Sequence, residues 1–437
     1  MRGSVAEERF MVTRIKTIFQ RARNHELVRV ISGMMALTLI GQGLYVLAGP
    51  FIGRLYSPEE VGYFGLFVTV SAALGVFACG LYDLAIPAAR DDEQARNLGG
   101  VCMAFSFGLA TIGGIGFTLA TAIPALGLSD FPAWSGVMMA IAIATQGWVL
   151  VGQAWAIRRN QVLAIGQGHV LMNGTRSALQ VLGGIVLPFW FILVAGELIA
   201  RIAQAFCSSV TRMSGAKAKF KPKQTKSIVI AHRQFPMVFG PAFFLDSMST
   251  LLQTGMIGAL FGALEMGQYF LMRRTLDLPV AFAFRSLSDA FFAKQLALAR
   301  EAPEQLTQFF LKMSGLLAMV GIGVSWPLFV WGAELFTLFY GPDWALAGEL
   351  AAIMVLPIIL NLAVAPVARI FQLSNWSHLR LIPSGINIIG TLFLLQISKN
   401  YDLQFQQVII GIAIVTTALY VSYFISGIIA SKHIRFE

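Results

Sequence analysis

The chain has 437 residues, of which 57% are hydrophobic and only 12% charged, and it carries a formal net charge of +10. Soluble domains typically hold roughly 25% charged residues, so this composition excludes an ordinary soluble domain and points to a polytopic membrane protein. The basic excess does not imply nucleic acid, because it sits in short connections beside apolar stretches, where anionic lipid headgroups attract it.

The N-terminal stretch 1–27 comes first. Phe10, Met11, Ile15, Ile18 and Phe19 share it with Arg14, Lys16, Arg21 and Arg23. It is predicted to be a basic amphipathic helix lying on the inner leaflet, although an unstructured basic tail accounts for the same residues equally well. No cleavable signal peptide is expected, since the first strongly apolar segment begins too far in and runs too long.

A helical crossing needs roughly 20 apolar residues to span about 30 Å of hydrocarbon. About twelve stretches meet that need. They fall at 28–52, 61–86, 97–122, 134–156, 162–184, 188–210, 236–258, 267–292, 313–338, 346–371, 379–397 and 405–430. The break between the fifth and sixth is marked only by Leu187-Pro188-Phe189. The runs are continuous rather than alternating, which argues for helices and against an outer-membrane barrel.

The 32 lysines and arginines are distributed unevenly about these stretches. The odd-numbered connections hold only Arg54 and Lys399, and Arg176, Arg201, Arg273, Arg274 and Arg285 fall inside spans. All the others lie in the two tails and the even-numbered connections. Positive residues accumulate on the cytoplasmic side, so both termini are expected in the cytoplasm.

The longest hydrophilic stretch, 211–235, contains Lys217, Lys219, Lys221, Lys223 and Lys226 and divides the chain near its midpoint. It separates a six-span unit at 28–210 from another at 236–430, followed by a tail at 431–437. An internal repeat supports that division. Ile52-Gly53, Leu55-Tyr56, Glu60, Gly62, Phe64 and Leu66 recur as Ile257-Gly258, Leu260-Phe261, Glu265, Gly267, Tyr269 and Leu271. Asp83 and Asp289 align after one further residue of shift. With six spans each, both units enter the membrane in the same sense, so a pseudo-two-fold axis along the membrane normal should relate them. The expected fold is therefore an all-α integral membrane protein of about twelve helices in two six-helix bundles, an arrangement used by alternating-access carriers.

Charges inside a membrane are costly and usually face a cavity or a partner. In the eighth span Arg274, Asp277, Ala281, Arg285 and Ser288 share one helical face, flanked by Arg273 and Asp289. That face is a cationic wall suited to an anionic headgroup, with Arg274 the strongest candidate. Pairing of Arg273 with Asp277 and of Arg285 with Asp289 is the structural alternative. Pro279 should bend this helix. In the fifth span His169, Asn173, Arg176 and Gln180 share a face, suited to sugar hydroxyls and a phosphate or else to interhelical hydrogen bonding. In the seventh, Asp246 shares a face with Thr250 and Gln253 and is a candidate for binding a coupling H⁺ or Na⁺; so are Asp277, Asp83 and Asp289. For Asp83 and Asp289, ion pairs at the cytoplasmic end are the favoured reading. Glu197 and Arg201, four residues apart, are expected to pair with each other.

No Walker A, HExxH, CxxC or GxSxG pattern occurs, so no enzymatic activity, metal or cofactor is expected beyond a coupling ion. Cys79, Cys102 and Cys207 lie in or beside spans and suggest no disulfide framework.

Four stretches carry a resemblance to a known family. They are Leu55-Tyr56-Ser57-Pro58-Glu59-Glu60-Val61-Gly62-Tyr63-Phe64; Leu81-Tyr82-Asp83-Leu84-Ala85-Ile86-Pro87 with Asp91-Asp92-Glu93-Gln94-Ala95; Phe261-Gly262-Ala263 through Gly267-Gln268-Tyr269 with Leu278-Pro279; and Leu338-Phe339-Tyr340-Gly341-Pro342-Asp343-Trp344 with Ala347-Gly348. In order and spacing they resemble the Wzx-type flippases of polysaccharide repeat units, in the multidrug/oligosaccharidyl-lipid/polysaccharide exporter superfamily. Asp83 stands where many members have glutamate. The resemblance implies a carrier in the bacterial inner membrane. It would move undecaprenyl-pyrophosphate-linked oligosaccharide to the outer leaflet for capsule, O-antigen or exopolysaccharide synthesis, by ion-coupled alternating access through a cationic cavity. It also implies the lipid bilayer and polysaccharide polymerase and co-polymerase proteins as partners. A cation antiporter of the same superfamily is the first alternative. A non-transporting scaffold of a synthase complex and a membrane-bound glycosyltransferase or ligase are others.

Overall fold

A computed structural model describes residues 32–123, 128–210, 229–365, 367, 370–371 and 381–433, and among these there are helices and turns but no strand. The predicted segment 1–27, most of the linker 211–235 and the end of the tail 431–437 lie outside the described residues.

The first half comprises α1 (Ser32–Leu55), α2 (Pro58–Gly75), α3 (Asp92–Ala120), α4 (Ser135–Arg158), α5 (Leu163–Val186) and α6 (Trp190–Val210). The second comprises α7 (Gln234–Phe261), α8 (Ala263–Glu301), α9 (Leu306–Tyr340), α10 (Ala345–Ile353), α11 (Val355–Val364), α12 (Leu381–Tyr401) and α13 (Phe405–His433). Seven of these are long and apolar enough to cross a membrane, and α10 with α11 reach that length only together, bent by 56° at the break between them. The four that fall short on apolarity, α2, α5, α7 and α8, carry the interior polar residues described below. Large apolar side chains such as Ile112, Leu119, Met319 and Phe393 cover the outside. A surface of that kind fits hydrocarbon, where helices satisfy their own backbone hydrogen bonds.

Local sequence sets the helix ends. Ser57 caps α2 by accepting from the Glu60 amide at 3.4 Å, and Pro58 follows at the first helical position. A proline there lacks only an amide that would have no partner anyway. Asp91 caps α3 through the Gln94 amide at 2.7 Å, while the Gln94 side chain accepts from the Arg90 amide at 2.8 Å. Such a reciprocal cap satisfies two orphan donors at once. Pro188 breaks the chain between α5 and α6, as expected, and the first amide of α6, on Trp190, donates to the Glu60 carboxylate of α2.

Two spans depart from the sequence reading. The second was expected to run unbroken to residue 86. Instead α2 ends at Gly75, the chain passes through left-handed conformations at Gly80 (φ 56°) and Leu81 (φ 62°), and a 3-10 turn covers Tyr82–Ala85. The tenth is the bent pair. In both, backbone geometry interrupts a continuous apolar run, a break that hydropathy does not register. Conversely, α8 is assigned as helix straight through residue 279.

Within the first half α3 packs on α4, α5 on α6, and α4 on α6; within the second α9 packs on α10 and α11, α12 on α13, and α7 on α12. The halves meet through α2, which packs on α7 and α8. This contact follows the internal repeat. A Cβ on Gly62 would run into the Ala263 carbonyl, and a Cβ on Gly267 into the Pro58 carbonyl. Gly62 and Gly267 are repeat equivalents, and so are Pro58 and Ala263, so each half offers the other the same surface. Phe64 and Phe270 complete the contact edge to face, 5.9 Å between ring centres.

A second set of bonds reinforces the same end of the molecule. Trp344, fully buried, donates from Nε1 to the Gly53 carbonyl at 2.7 Å. Arg54 Nη2 donates to the Leu338 carbonyl at 2.7 Å. Within the second half, Gln268 fixes the loop that carries Trp344, donating to the Asp343 carbonyl at 2.6 Å and accepting from the Ala347 amide at 2.9 Å. The two halves are thus clamped together at the end that carries the odd-numbered connections.

Candidate functional site

Below that clamp the halves separate around a cavity of about 560 Å³. Gln42 and Tyr45 of α1 and Val68, Thr69, Ala72, Ala73 and Val76 of α2 line the first half's side. Asp246, Ser247, Thr250 and Thr254 of α7 and Tyr269, Phe270, Arg273, Arg274 and Asp277 of α8 line the other. Val68 to Val76 lie six to fourteen residues beyond Gly62, roughly 9–21 Å further along the helix at 1.5 Å per residue.

The cationic wall is formed by two adjacent arginines in different circumstances. Arg273 is fully engaged: Nη1 donates to Tyr269 Oη at 3.1 Å and to Gln253 Oε1 at 3.3 Å, and Nε stands 4.0 Å from Asp277. The Asp277 side chain is 65% open, so this pair is loose and wet. Arg274 has no carboxylate within 4.0 Å among the described residues, and its buried Nη2 has no hydrogen-bond partner there. Its guanidinium lies instead over the Tyr45 ring, 3.8 Å from the centre. A buried donor without an acceptor is costly, and the residue that carries it lines the cavity.

Behind this wall a polar chain continues into the second half. Gln253 Nε2 donates to Asn387 Oδ1 at 3.3 Å and Thr391 Oγ1 at 3.2 Å, both on α12. Asp246 lines the cavity and accepts from Ser384 Oγ at 2.6 Å, so its carboxylate also connects with α12.

In the fifth span the structure shows the interhelical alternative. His169, Asn173 and Arg176 do not line the cavity. Asn173 is buried and accepts from Arg176 Nη2, and Arg176 Nη1 pairs with Glu197 of α6 at 3.0 Å. Glu197 also pairs with Arg201 at 2.8 Å, as expected, and Arg201 donates to Gln146 at 3.1 Å. Gln180, fully buried, donates to the Leu193 carbonyl at 2.8 Å. The backbone at His169 packs against Gly41 of α1. Three residues of this polar face therefore join α5 to neighbouring side chains and α6. The reason is Glu197, whose carboxylate in a buried setting draws in both nearby guanidiniums. Arg176 nonetheless stacks on the far side of the site's boundary, 3.5 Å from the Tyr45 ring centre.

Asp83 lies in the 3-10 turn with a buried Oδ1 that has no partner among the described residues, and it forms no ion pair with them. The side chains of Arg285 and Asp289 lie outside the described residues.

Sequence reasoning missed Tyr45 and the role of Gln253 as a connector. Gln42 and Tyr45, three residues apart in an otherwise apolar first span, were the available signal for the former.

The fold and cavity define a class: a multi-pass membrane protein whose described residues form two helical halves meeting around a polar cavity. Solved structures sharing it include the inward-facing conformation of a multidrug resistance MATE family transporter of the MOP superfamily, 17% identical, covering 91% of this chain and 99% of that one, with a TM-score of 0.67. They also include an outward-facing conformation from the same family, 16% identical over 93% and 96%, with a TM-score of 0.55. A third is the lipid II flippase MurJ in an inward closed conformation, 12% identical over 90% and 87%, with a TM-score of 0.63. At these identities the likeness is one of fold. No protein-family model matches the chain, and no curated protein matches it by sequence.

Proposed function

We propose that the chain is a flippase moving an undecaprenyl-pyrophosphate-linked oligosaccharide from the cytoplasmic to the outer leaflet of a bacterial inner membrane. The observation carrying this reading is Arg274, a cation lining the cavity between the halves with an unsatisfied donor and no carboxylate within 4.0 Å among the described residues. A site of that kind attracts an anion. Arg273 adjoins it, and Thr69, Ser247, Thr250 and Gln42 supply hydroxyl and amide groups suited to sugars. Two named neighbours, the inward-facing transporter and the lipid II flippase, match this fold with the higher TM-scores, 0.67 and 0.63. That supports assigning the clamped end to the outer side and the basic connections to the cytoplasm, as positive-inside topology requires.

In this reading the pyrophosphate enters from the basic side and binds Arg274 and Arg273, while the lipid tail remains in the bilayer. Release outward requires the clamp between α2, α7 and α8 to part. Asp246, bonded to α12 and open to the cavity, is positioned to bind the coupling H⁺ or Na⁺ that resets the cycle. The test is flipping of a pyrophosphate-linked oligosaccharide in proteoliposomes. Arg274→Ala should lower the rate about tenfold or more, the cost of one charged hydrogen bond, and Arg274→Lys should lose less. Wild-type rates in Arg274→Ala would remove this residue from the site.

One observation favours a second reading, a multidrug cation antiporter. Asp246 and Asp277 line the same cavity as Tyr45, Tyr269 and Phe270. Carboxylates among aromatic faces suit an organic cation.

A further inference from the structure

We propose that Tyr45 is a positioning residue that holds Arg274 in place for an anionic pyrophosphate without neutralising it. This deepens the flippase reading and depends on it.

An arginine inside a membrane needs something to hold it. The usual partner is a carboxylate, and this protein uses one nearby: Glu197 takes both Arg176 and Arg201, leaving that cluster with one net positive charge. A carboxylate beside Arg274 would fix its position equally well. It would also cancel the charge that an anionic cargo must find. An aromatic face attracts a cation through its quadrupole while carrying no charge of its own. Tyr45 is placed to do this. Its ring centre lies 3.8 Å from the guanidinium carbon of Arg274 and 3.5 Å from that of Arg176. The guanidinium of Arg274 is thereby located, yet its Nη2 still lacks an acceptor among the described residues.

The position of the contact adds to this. Tyr45 stands on α1 of the first half and Arg274 on α8 of the second, both lining the cavity. The ring therefore brings the cation of one half next to the Arg176–Glu197–Arg201 cluster of the other. Two guanidiniums within 4 Å of one ring repel each other, and an anion bound at Arg274 from the cavity screens that repulsion. An anion with several oxygens, such as a pyrophosphate, is the chemistry this arrangement favours. The phenol hydroxyl plays no part in the face contact, so phenylalanine should serve as well.

The experiment measures binding of farnesyl pyrophosphate to the purified full-length protein in nanodiscs, with farnesol as the uncharged control and a melting curve for each variant. Tyr45→Phe should bind within about twofold of wild type. Tyr45→Leu should bind about tenfold more weakly, which is about 1.4 kcal/mol. Tyr45→Glu should abolish binding while melting no lower than Tyr45→Leu, because the new carboxylate pairs with Arg274. Farnesol should bind all four proteins alike. If Tyr45→Glu binds farnesyl pyrophosphate as wild type does, Tyr45 has no such role and the flippase reading stands. If wild type prefers farnesol to farnesyl pyrophosphate, the flippase reading fails and this inference falls with it.

Discussion

Glu197 holds two guanidiniums with one carboxylate that is only 3% exposed, so its removal should be felt in stability. Breaking a buried pair costs roughly 3–5 kcal/mol because the partner charge stays buried. Glu197→Gln is therefore expected to lower the melting temperature sharply. Asp277→Asn, at a 65% open side chain, should change stability by about 1 kcal/mol or less, since solvent screens that pair. Thermal melts of both variants check the contrast. Gln253 gives a second case. Gln253→Leu strands polar groups on Arg273, Asn387 and Thr391 and should cost roughly 1–3 kcal/mol. Gln253→Glu keeps an acceptor for Arg273 but adds a negative charge beside the cavity. It also loses both donations to α12, so it should melt lower than wild type as well as slow transport of an anion. At this scale the sequence was a partial guide. The eighth-span face was legible because charges at helical spacing in an apolar run have few places to go, and Arg273, Arg274 and Asp277 do line one cavity. The fifth-span face had two readings open, and its hydrogen bonds follow the interhelical one. Spacing shows that polar residues share a side of a helix, but not which neighbour that side meets, and the neighbour was Glu197.

Among the helices, α2 and α8 do most to join the halves, and their glycines set how close they come. Gly62 and Gly267 were visible in the sequence as repeat equivalents. Their function was not, because it arises only when the two copies face each other. A methyl group at either position meets a backbone carbonyl that has no rotamer to yield. Overpacking of this kind costs about 1–3 kcal/mol, and the cost applies only while the clamp is closed. Gly267→Ala and Gly62→Ala are therefore expected to shift the closed-to-open ratio by about tenfold or more. The measurement is labelling of Thr69→Cys, a cavity position, by a membrane-impermeant thiol reagent added from outside, with Cys79, Cys102 and Cys207 replaced by alanine. Faster labelling than in the parent is the expected result. The helix breaks at Gly75 and Met354 had a weaker signature. Their runs remain apolar across the break, and hydropathy reports burial in lipid rather than backbone direction.

For the whole molecule, the duplication and the charge bias were both legible, and together they anticipated two bundles meeting around a polar cavity. The symmetric contact at one end and the cavity below it leave the halves joined at that end and parted further along. The polarity of the cavity is mixed: Arg273, Arg274, Asp246 and Asp277 line it together with Tyr45, Tyr269 and Phe270. What the cavity carries therefore depends on whether the unneutralised Arg274 or the carboxylates dominate. The direct measurement reconstitutes the purified protein in liposomes and compares, in one preparation, translocation of a pyrophosphate-linked oligosaccharide with exchange of a lipophilic organic cation against H⁺ or Na⁺. The expected result is translocation of the anionic lipid, lost in Arg274→Ala, with no cation exchange above protein-free vesicles. Cation exchange that persists in Arg274→Ala, with no movement of the anionic lipid, would contradict it.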